Sequence, residues 1–341
     1  MAHVRDQGWR LFDAIVAEAA QRGTNPWQRT RDRLTYLPDY DTLELLLGVP
    51  VLLKATSQSG VPALALDVWV SYEFRRAGFD PNRVWPRPRP PRVLPVEVTE
   101  FIGRLPKAQQ RTLLGLIDQG IGGSRSANLL GKNYVKQVDV VMSSWATGPE
   151  LMVSTKRMDS SFGKNGANRV EESYGDAKNL RLRHPQAALG FVYALSAVAL
   201  NQEAEIAAWL IDLLGKLGRE DDAYHAVALV LPDLTPGTEA PGIPRDDEAG
   251  PLEAGSVDDA PQEPAQGTGS RLEQQWEDDL TRGDLAGLPR VALRRESVPA
   301  DLDPGRFFRA MCERVLDHSP INFHATARHR RGNPRPEPGL P

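Results

Sequence analysis

The pair of runs Val135-Lys-Gln-Val-Asp139-Val-Val141 and Glu150-Leu-Met-Val-Ser154-Thr-Lys156 decides how this chain is read. Both are rich in β-branched residues, and Gly148-Pro149 punctuates the space between them, so they read as neighbouring strands over Val135–Met142 and Leu151–Met158. The first carries an acid at its end and the second a lysine. Because strand side chains alternate, Ser154 and Lys156 share one face while Thr155 points to the other. A glycine-bearing loop with Gly163 and Gly166 follows, then a helix over Val170–Arg183 that stops before Pro185 and carries the adjacent acids Glu171 and Glu172.

Working outward, Leu189–Leu195 reads as a buried strand, Glu203–Leu217 as an amphipathic helix and Ala226–Leu231 as a further short strand. Upstream, Glu97–Gly120 reads as largely helical, and Ser124–Leu130 as a short helix. Trp9, Phe12, Ile15, Val16 and Ala19 recur at helical spacing near the start, and Asp41–Leu47 is a second helix with Asp41 placed as its N-cap. Between these blocks, Trp85-Pro-Arg-Pro-Arg-Pro-Pro-Arg92 is extended and polyproline-like, and reads as a rigid connector rather than a strap along a phosphate backbone. Strands alternating with helices imply an α/β fold, with a mixed central sheet flanked by helices.

With 341 residues, 40% of them hydrophobic, the chain can bury a sizeable core and reads as one main domain with additions. Its one cysteine, Cys312, excludes an internal disulfide and a cysteine-based zinc site, as suits a reducing cytoplasm. Charges interrupt the first 23 residues, which argues against a signal peptide, and the longest apolar run, Ala187–Leu200, is too short to span a bilayer. From residue 233 to 269 the chain has no aromatic residue, is dense in Pro and Gly, and carries nine acids against Arg245 alone, the composition of a disordered linker. Setting aside its charge of −8 turns the net −4 into about +4, a mildly basic remainder suited to a polyanion. The expected organisation is a helical N-terminal region with its connector (1–95), a catalytic core (96–232), the acidic linker (233–269), and a helical appendage (270–341). In the appendage Leu272, Trp276 and Leu280 mark one helix and Phe307–Leu316 another, and a basic tail from Arg328 to Arg335 reads as a solvated end.

An Asp and a Lys delivered to one spot by adjacent strands, with a carboxylate helix beside them, can hold a hard divalent cation against a phosphodiester. The arrangement resembles the PD-(D/E)XK nuclease superfamily, whose signature is an acid, a spacer, and an acid–any–lysine on the next strand. Val138-Asp139 stands at the first half and Ser154-Thr155-Lys156 at the second. Ser154 occupies a place where most members carry Glu or Asp. One branch, the restriction endonucleases with a relocated active-site glutamate, also has Ser-any-Lys, and takes its carboxylate from the following helix shortly after an arginine. Here Asn168-Arg169-Val170-Glu171-Glu172 lies at a similar distance. The resemblance covers about residues 124–200.

The resemblance implies a restriction-endonuclease-like core and a Mg²⁺-dependent DNA endonuclease, of the type II restriction or another anti-phage defence kind. Asp139 and Glu171 would bind the metal, with Glu172 as the other choice. Lys156 would assist the hydrolytic water, and Ser154 would shape the site. Glu171 is preferred because it borders the apolar stripe Val170, Tyr174 and Ala177. The superfamily often adds an acid from a helix before the first strand, for which Glu100 and Asp118 are the candidates. Double-stranded DNA is the implied partner, contacted by Arg157, Lys164, Arg169, Lys178 and Arg181, and cutting both strands implies a homodimer or larger assembly. The alternatives are a catalytically inert DNA-binding or scaffold protein on this fold, and a repair or recombination nuclease.

Single pieces have plainer readings. An Asp at a strand end is commonly a turn residue, and paired Glu on a helix is usually a solvated face. Lys156 is harder to set aside, since burying an ammonium without a partner is costly. Gly131-Lys132-Asn133 lacks the spacing of a P-loop, and His318, His324 and His329 lack that of a zinc site.

Overall fold

Period-two burial divides the strands between two hydrophobic cores, and that division organises the chain. The computed structural model describes residues 2–30, 33–119, 121, 126–160, 162–234, 285 and 287–336. In chain order its elements are α1 (Ala2–Gln21), β1 (Trp27–Thr30), β2 (Arg33–Tyr36), α2 (Tyr40–Leu52), α3 (Val61–Arg76) and β3 (Val84–Trp85). Next come α4 (Val96–Gly103), α5 (Lys107–Asp118), β4 (Asn128–Leu130), β5 (Val135–Gln137), β6 (Val140–Ser144), β7 (Gly148–Met158) and α6 (Phe162–Arg183). The remainder are β8 (Ala188–Leu195), α7 (Ala199–Gln202), α8 (Ala204–Leu217), β9 (Ala226–Val230), α9 (Pro304–His318), α10 (Ala325–Gly332) and β10 (Arg335–Pro336).

The central sheet has the order β3-β6-β7-β8-β9. Its first three strands are antiparallel neighbours, while β7, β8 and β9 run parallel, so the fold is α/β with a mixed sheet. Val140, Met142, Leu151, Val153, Val192 and Val230 face a core shared with α1, α2, α3 and α9. Val141, Met152, Leu189, Phe191, Tyr193 and Leu229 face the other core, built with α6 and α8.

Helix α3 is the element that sequence periodicity did not reveal. It is apolar nearly all round (Val61-Pro-Ala-Leu-Ala-Leu-Asp67-Val-Trp-Val70), begins with Pro62 in its first turn, and is buried along most of its length. Its buried Glu73 receives hydrogen bonds from the Tyr36 hydroxyl at 2.9 Å and the Asp39 amide at 2.6 Å, and pairs with Arg76 at 2.7 Å. That network ties α3 to β2 and to the start of α2.

Several expectations change in detail. The expected strand over Val135–Met142 is two strands: β5 belongs to a separate hairpin with β4, and Asp139 stands ahead of β6 instead of ending a strand. Ser124–Leu130 does not form a helix among its described residues, because Asn128–Leu130 pairs with β5. The helix expected over Glu97–Gly120 is divided by Pro106, which caps α5. Asp39, not Asp41, caps α2, accepting from the Thr42 amide at 3.1 Å. Gly163 and Gly166 lie in α6 and not in a loop; a Cβ there would come within 2.8 Å of Ile206 and 2.6 Å of Leu210, so these glycines let α6 and α8 pack closely.

The boundary at residue 95 is not a structural one, since β3 pairs with β6 and α3 packs across β7. The Pro-rich segment behaves as a connector, with Arg87 and Arg92 turned inward and Arg89 exposed. Arg87 donates to the Pro91 carbonyl at 3.0 Å, and Arg92 pairs with Asp13 at 2.7 Å while lying over the Trp9 ring. The basic tail is packed rather than solvated: Arg328 donates to the Leu316 carbonyl at 2.6 Å, Ala327 is buried against Gly78, and β10 pairs with β1. Most of the acidic linker, together with Leu272, Trp276 and Leu280, lies outside the described residues.

Helix α9 covers β8 at Gly190, where an added Cβ would come within 2.7 Å of the Phe307 ring and 2.9 Å of Met311. Gly190→Ala should therefore destabilise the protein by about 1–3 kcal/mol through overpacking, read as a lower urea midpoint with unchanged slope. A change below about 0.5 kcal/mol would mean that α9 is not seated on this strand.

Candidate active site

The β6–β7 register pairs Val140 with Val153, which sets Asp139 beside the backbone of the next residues along β7. Asp139 Oδ2 accepts a hydrogen bond from the Thr155 amide at 2.8 Å. On the α3 face of the sheet, the Thr155 hydroxyl donates to Asp67 Oδ1. One residue therefore bridges two carboxylates, one through its backbone and one through its side chain. Lys156, half-buried, follows immediately.

The electrostatics follow from that closeness. Burial pushes the Asp67 carboxyl well above the usual range, and the neighbouring Asp139 charge pushes it further, against the opposing pull of Thr155, Lys156 and Arg5. Burial also raises Asp139, opposed by its hydrogen bond from Thr155 and by Lys156 and Lys136. Two acids in one partly dry spot favour sharing a proton or gaining a cation. Asp67 Oδ2 and Asp139 Oδ1 have no hydrogen-bond partner among the described residues, so each carboxylate keeps an uncommitted oxygen.

The opposite face of β7 is already occupied. Ser154 is buried on the side of Tyr224, whose pKa it helps hold down against burial and whose hydroxyl donates to the Ser173 carbonyl at 2.9 Å. Next to them, Asp176 of α6 pairs with Lys136 at 2.5 Å and accepts from the Tyr134 hydroxyl at 3.0 Å. The two glutamates expected to complete the site are elsewhere. Glu171 and Glu172 are both exposed, and Glu172 pairs with Arg169 at 3.9 Å. The reason is polar: Ser173, Asp176 and Asn179 are buried alongside Val170, Ala177 and Leu180, which turns the buried face of α6 away from Glu171.

The expected DNA contacts are largely committed within the fold. Arg157 pairs with Asp159 at 2.8 Å and Lys178 with Asp222 at 2.9 Å, while Arg181 donates to the Ala223 carbonyl at 2.9 Å. The side chains of Lys164 and Asp118 lie outside the described residues, and Glu100 is exposed on α4. The helix acid beside Asp139 is Asp67. Its signal in the sequence was the one charge within the apolar run from Val61 to Val70, a placement that demands a partner.

Among the described residues no group of three or more His, Cys, Asp or Glu is arranged to hold a metal ion. Two carboxylates are nevertheless a sufficient protein contribution for Mg²⁺, which keeps several waters and takes further ligands from substrate phosphate. The crowded, partly unsatisfied pair Asp67–Asp139 fits that role. Comparison with protein-family models, with curated proteins and with solved structures finds no match to the chain.

The raised acids set a pH signature. Both bind protons more tightly in the folded state than unfolded, so their contribution to stability falls as pH rises above the unfolded value of about 3.9, and levels off beyond the folded values. In metal-free buffer, Asp67→Asn should flatten this decline and raise Tm at neutral pH, by about 2–4 °C for each kcal/mol of repulsion relieved. Thermal melts across the acid-to-neutral range check it, and a lowered Tm at neutral pH would mean that the two charges are not in conflict.

Proposed function

We propose that this chain is a metal-dependent DNA endonuclease that hydrolyses phosphodiester bonds. The observation that carries the reading is the carboxylate pair Asp67–Asp139 held about Thr155, with Lys156 next along the strand. In this reading Asp139 and Asp67 hold Mg²⁺, Asp67 taking the place expected of Glu171. The ion, when bound, neutralises the scissile phosphate and orients water. Lys156 leaves β7 on the face of Ser154, opposite Thr155 and Asp67, yet its charge is felt at both carboxyls, and in this reading its ammonium steadies the negative charge that develops on the phosphorus oxygens. Thr155 keeps the two carboxylates in register, and Ser154 is spent on Tyr224 and shapes the far face. The Ser154-Thr155-Lys156 motif within a mixed α/β sheet supports a restriction-endonuclease-like core, and with it a type II restriction or anti-phage defence role. One site per chain acting on two strands calls for a homodimer. No helix among the described residues is long and apolar enough to cross a membrane.

Asp139→Ala and Lys156→Ala should each lower Mg²⁺-dependent cleavage of duplex DNA by at least about 100-fold while leaving the far-ultraviolet spectrum intact. Glu171→Ala and Glu172→Ala should leave cleavage within about twofold of the parent, since both side chains are exposed. Full activity in the Lys156 variant would sink the assignment.

One observation favours a second reading, a DNA-binding protein without catalysis: the buried acid that α6 does contribute, Asp176, is already neutralised by Lys136. Calorimetric titration with Mg²⁺ separates the two, because the inert protein would show no heat that Asp67→Asn abolishes.

A further inference from the structure

We propose that the β4–β5 hairpin is a groove-reading element: a rigid two-stranded ribbon that enters the major groove of duplex DNA and sets where the adjoining acids act. The proposal rests on the nuclease reading of Asp67, Asp139 and Lys156, and names the surface through which that site would choose its target.

The hairpin is structurally peculiar. Its strands, three residues each, form a sheet of their own apart from the central one. A two-stranded hairpin is marginal by itself in water, so its conformation needs support from outside. That support comes from one residue of α6. Asn179 accepts from the Asn133 amide at 2.8 Å through Oδ1, donates to the Tyr134 carbonyl at 3.1 Å through Nδ2, and accepts from the Lys132 amide at 2.8 Å through its own carbonyl. The approach is so close that a Cβ on Gly131 would fall 2.1 Å from Asn179 Nδ2. His184 adds a contact to the Leu130 carbonyl at 3.0 Å, and Lys136 its ion pair with Asp176. Rigid anchoring is thus applied to a ribbon that gives the second core little beyond Leu129.

What the ribbon shows to solvent explains the anchoring. The register pairs Asn128 with Gln137, Leu129 with Lys136, and Leu130 with Val135. Leu129 and Lys136 turn inward, toward the second core and α6. The alternate rows face out: the two amides of Asn128 and Gln137, then the aliphatic pair Leu130 and Val135, 47% and 60% exposed, with Lys132 and Asn133 at the tip. The polar side chains of Asn128, Lys132, Asn133 and Gln137 have no partner among the described residues. Amides read adenine through its paired donor and acceptor, aliphatic groups pack on the thymine methyl, and lysine meets guanine or phosphate. The major groove, about 12 Å wide, admits a two-stranded ribbon. Residues 127–138 contain two lysines and no acid, so nothing on the ribbon repels a polyanion. Continuity completes the case: Val138 alone separates Gln137, the end of β5, from Asp139.

The test uses the full-length chain in metal-free buffer, with a fluorescent duplex for affinity and a randomised duplex pool for sequence enrichment. Two double variants remove the outward groups: Lys132→Ala with Asn133→Ala, and Asn128→Ala with Gln137→Ala. Both should keep the parent melting temperature, because they break no intramolecular bond. The tip variant should bind about tenfold more weakly and lose about one unit of salt slope. The strand variant should lose the enriched sequence while keeping most of its non-specific affinity. Parent-like affinity, salt slope and enrichment in both variants, with a parent that binds and cuts DNA, overturns the hairpin proposal and leaves the nuclease reading standing. A parent that binds no duplex and cuts none overturns both.

Discussion

Thr155 holds two acids together that would otherwise repel, and the arrangement of the surrounding elements turns on that contact. Its amide engages Asp139 and its hydroxyl engages Asp67, so the residue ahead of β6 and a helix residue are fastened to one point of β7. Like charges this close in a partly dry setting raise one another's pKa, and such strain persists only where the scaffold over-determines it. The scaffold here is extensive. Asp67 sits in a helix wedged between the sheet and α1, α2 and α9, and Asp139 directly precedes Val140, which antiparallel pairing holds to Val153. Arg157 donates to the Pro62 carbonyl at 3.3 Å, a second tie between β7 and α3 two residues beyond Thr155.

That wedge explains why the N-terminal and C-terminal segments are integral to the sheet region. α3 could not carry a buried Asp, Glu and Arg alone, because each buried ion needs compensation. Glu73 and Arg76 compensate one another and recruit Tyr36, the Asp39 amide and the Leu37 carbonyl. Asp67 has no such arginine in contact. Like Arg75, it has no ion-pair partner among the described residues, and its carboxyl feels the Thr155 hydroxyl and the charges of Asp139 and Lys156. A structural acid would be expected to resemble Glu73. Asp67 does not.

The strands, the helices after them and the mixed α/β class were legible because they obey simple periodicity. The two faces of β7 were legible too, since the strand alternates regularly and Val and Met mark its sides. What stayed hidden had physical causes. α3 lacks an amphipathic stripe because it is buried all round, so no period announces it, and Asp67 went unnoticed with it. α6 misled because its buried face includes Ser173, Asp176 and Asn179, polar residues that a hydrophobic wheel assigns to solvent. Gly163 and Gly166 suggested a loop, when their use is to bring α6 against α8. The break between β5 and β6 was invisible because Val135, Val138, Val140 and Val141 run on through both strands; only pairing partners, which are non-local, distinguish them.

The serine in place of the strand acid then acquires a consistent account. A carboxylate at position 154 would face Tyr224 and lie close to Asp176, whose charge is already matched by Lys136. A third acid there would have no cation left to meet it. Ser154 instead places a neutral hydroxyl beside Tyr224, whose own hydroxyl donates to the Ser173 carbonyl on α6. Lys136 occupies the pivotal position in this arrangement: it anchors the β4–β5 hairpin to Asp176 and lowers the cost of the charge on Asp139 three residues away. Any ligand that shifts the hairpin must therefore alter the field at Asp139. On the nuclease reading proposed above, recognition by the hairpin and chemistry at Asp139 would be coupled through this single ammonium on the Ser154 side of the sheet, while the Thr155 side holds Asp67.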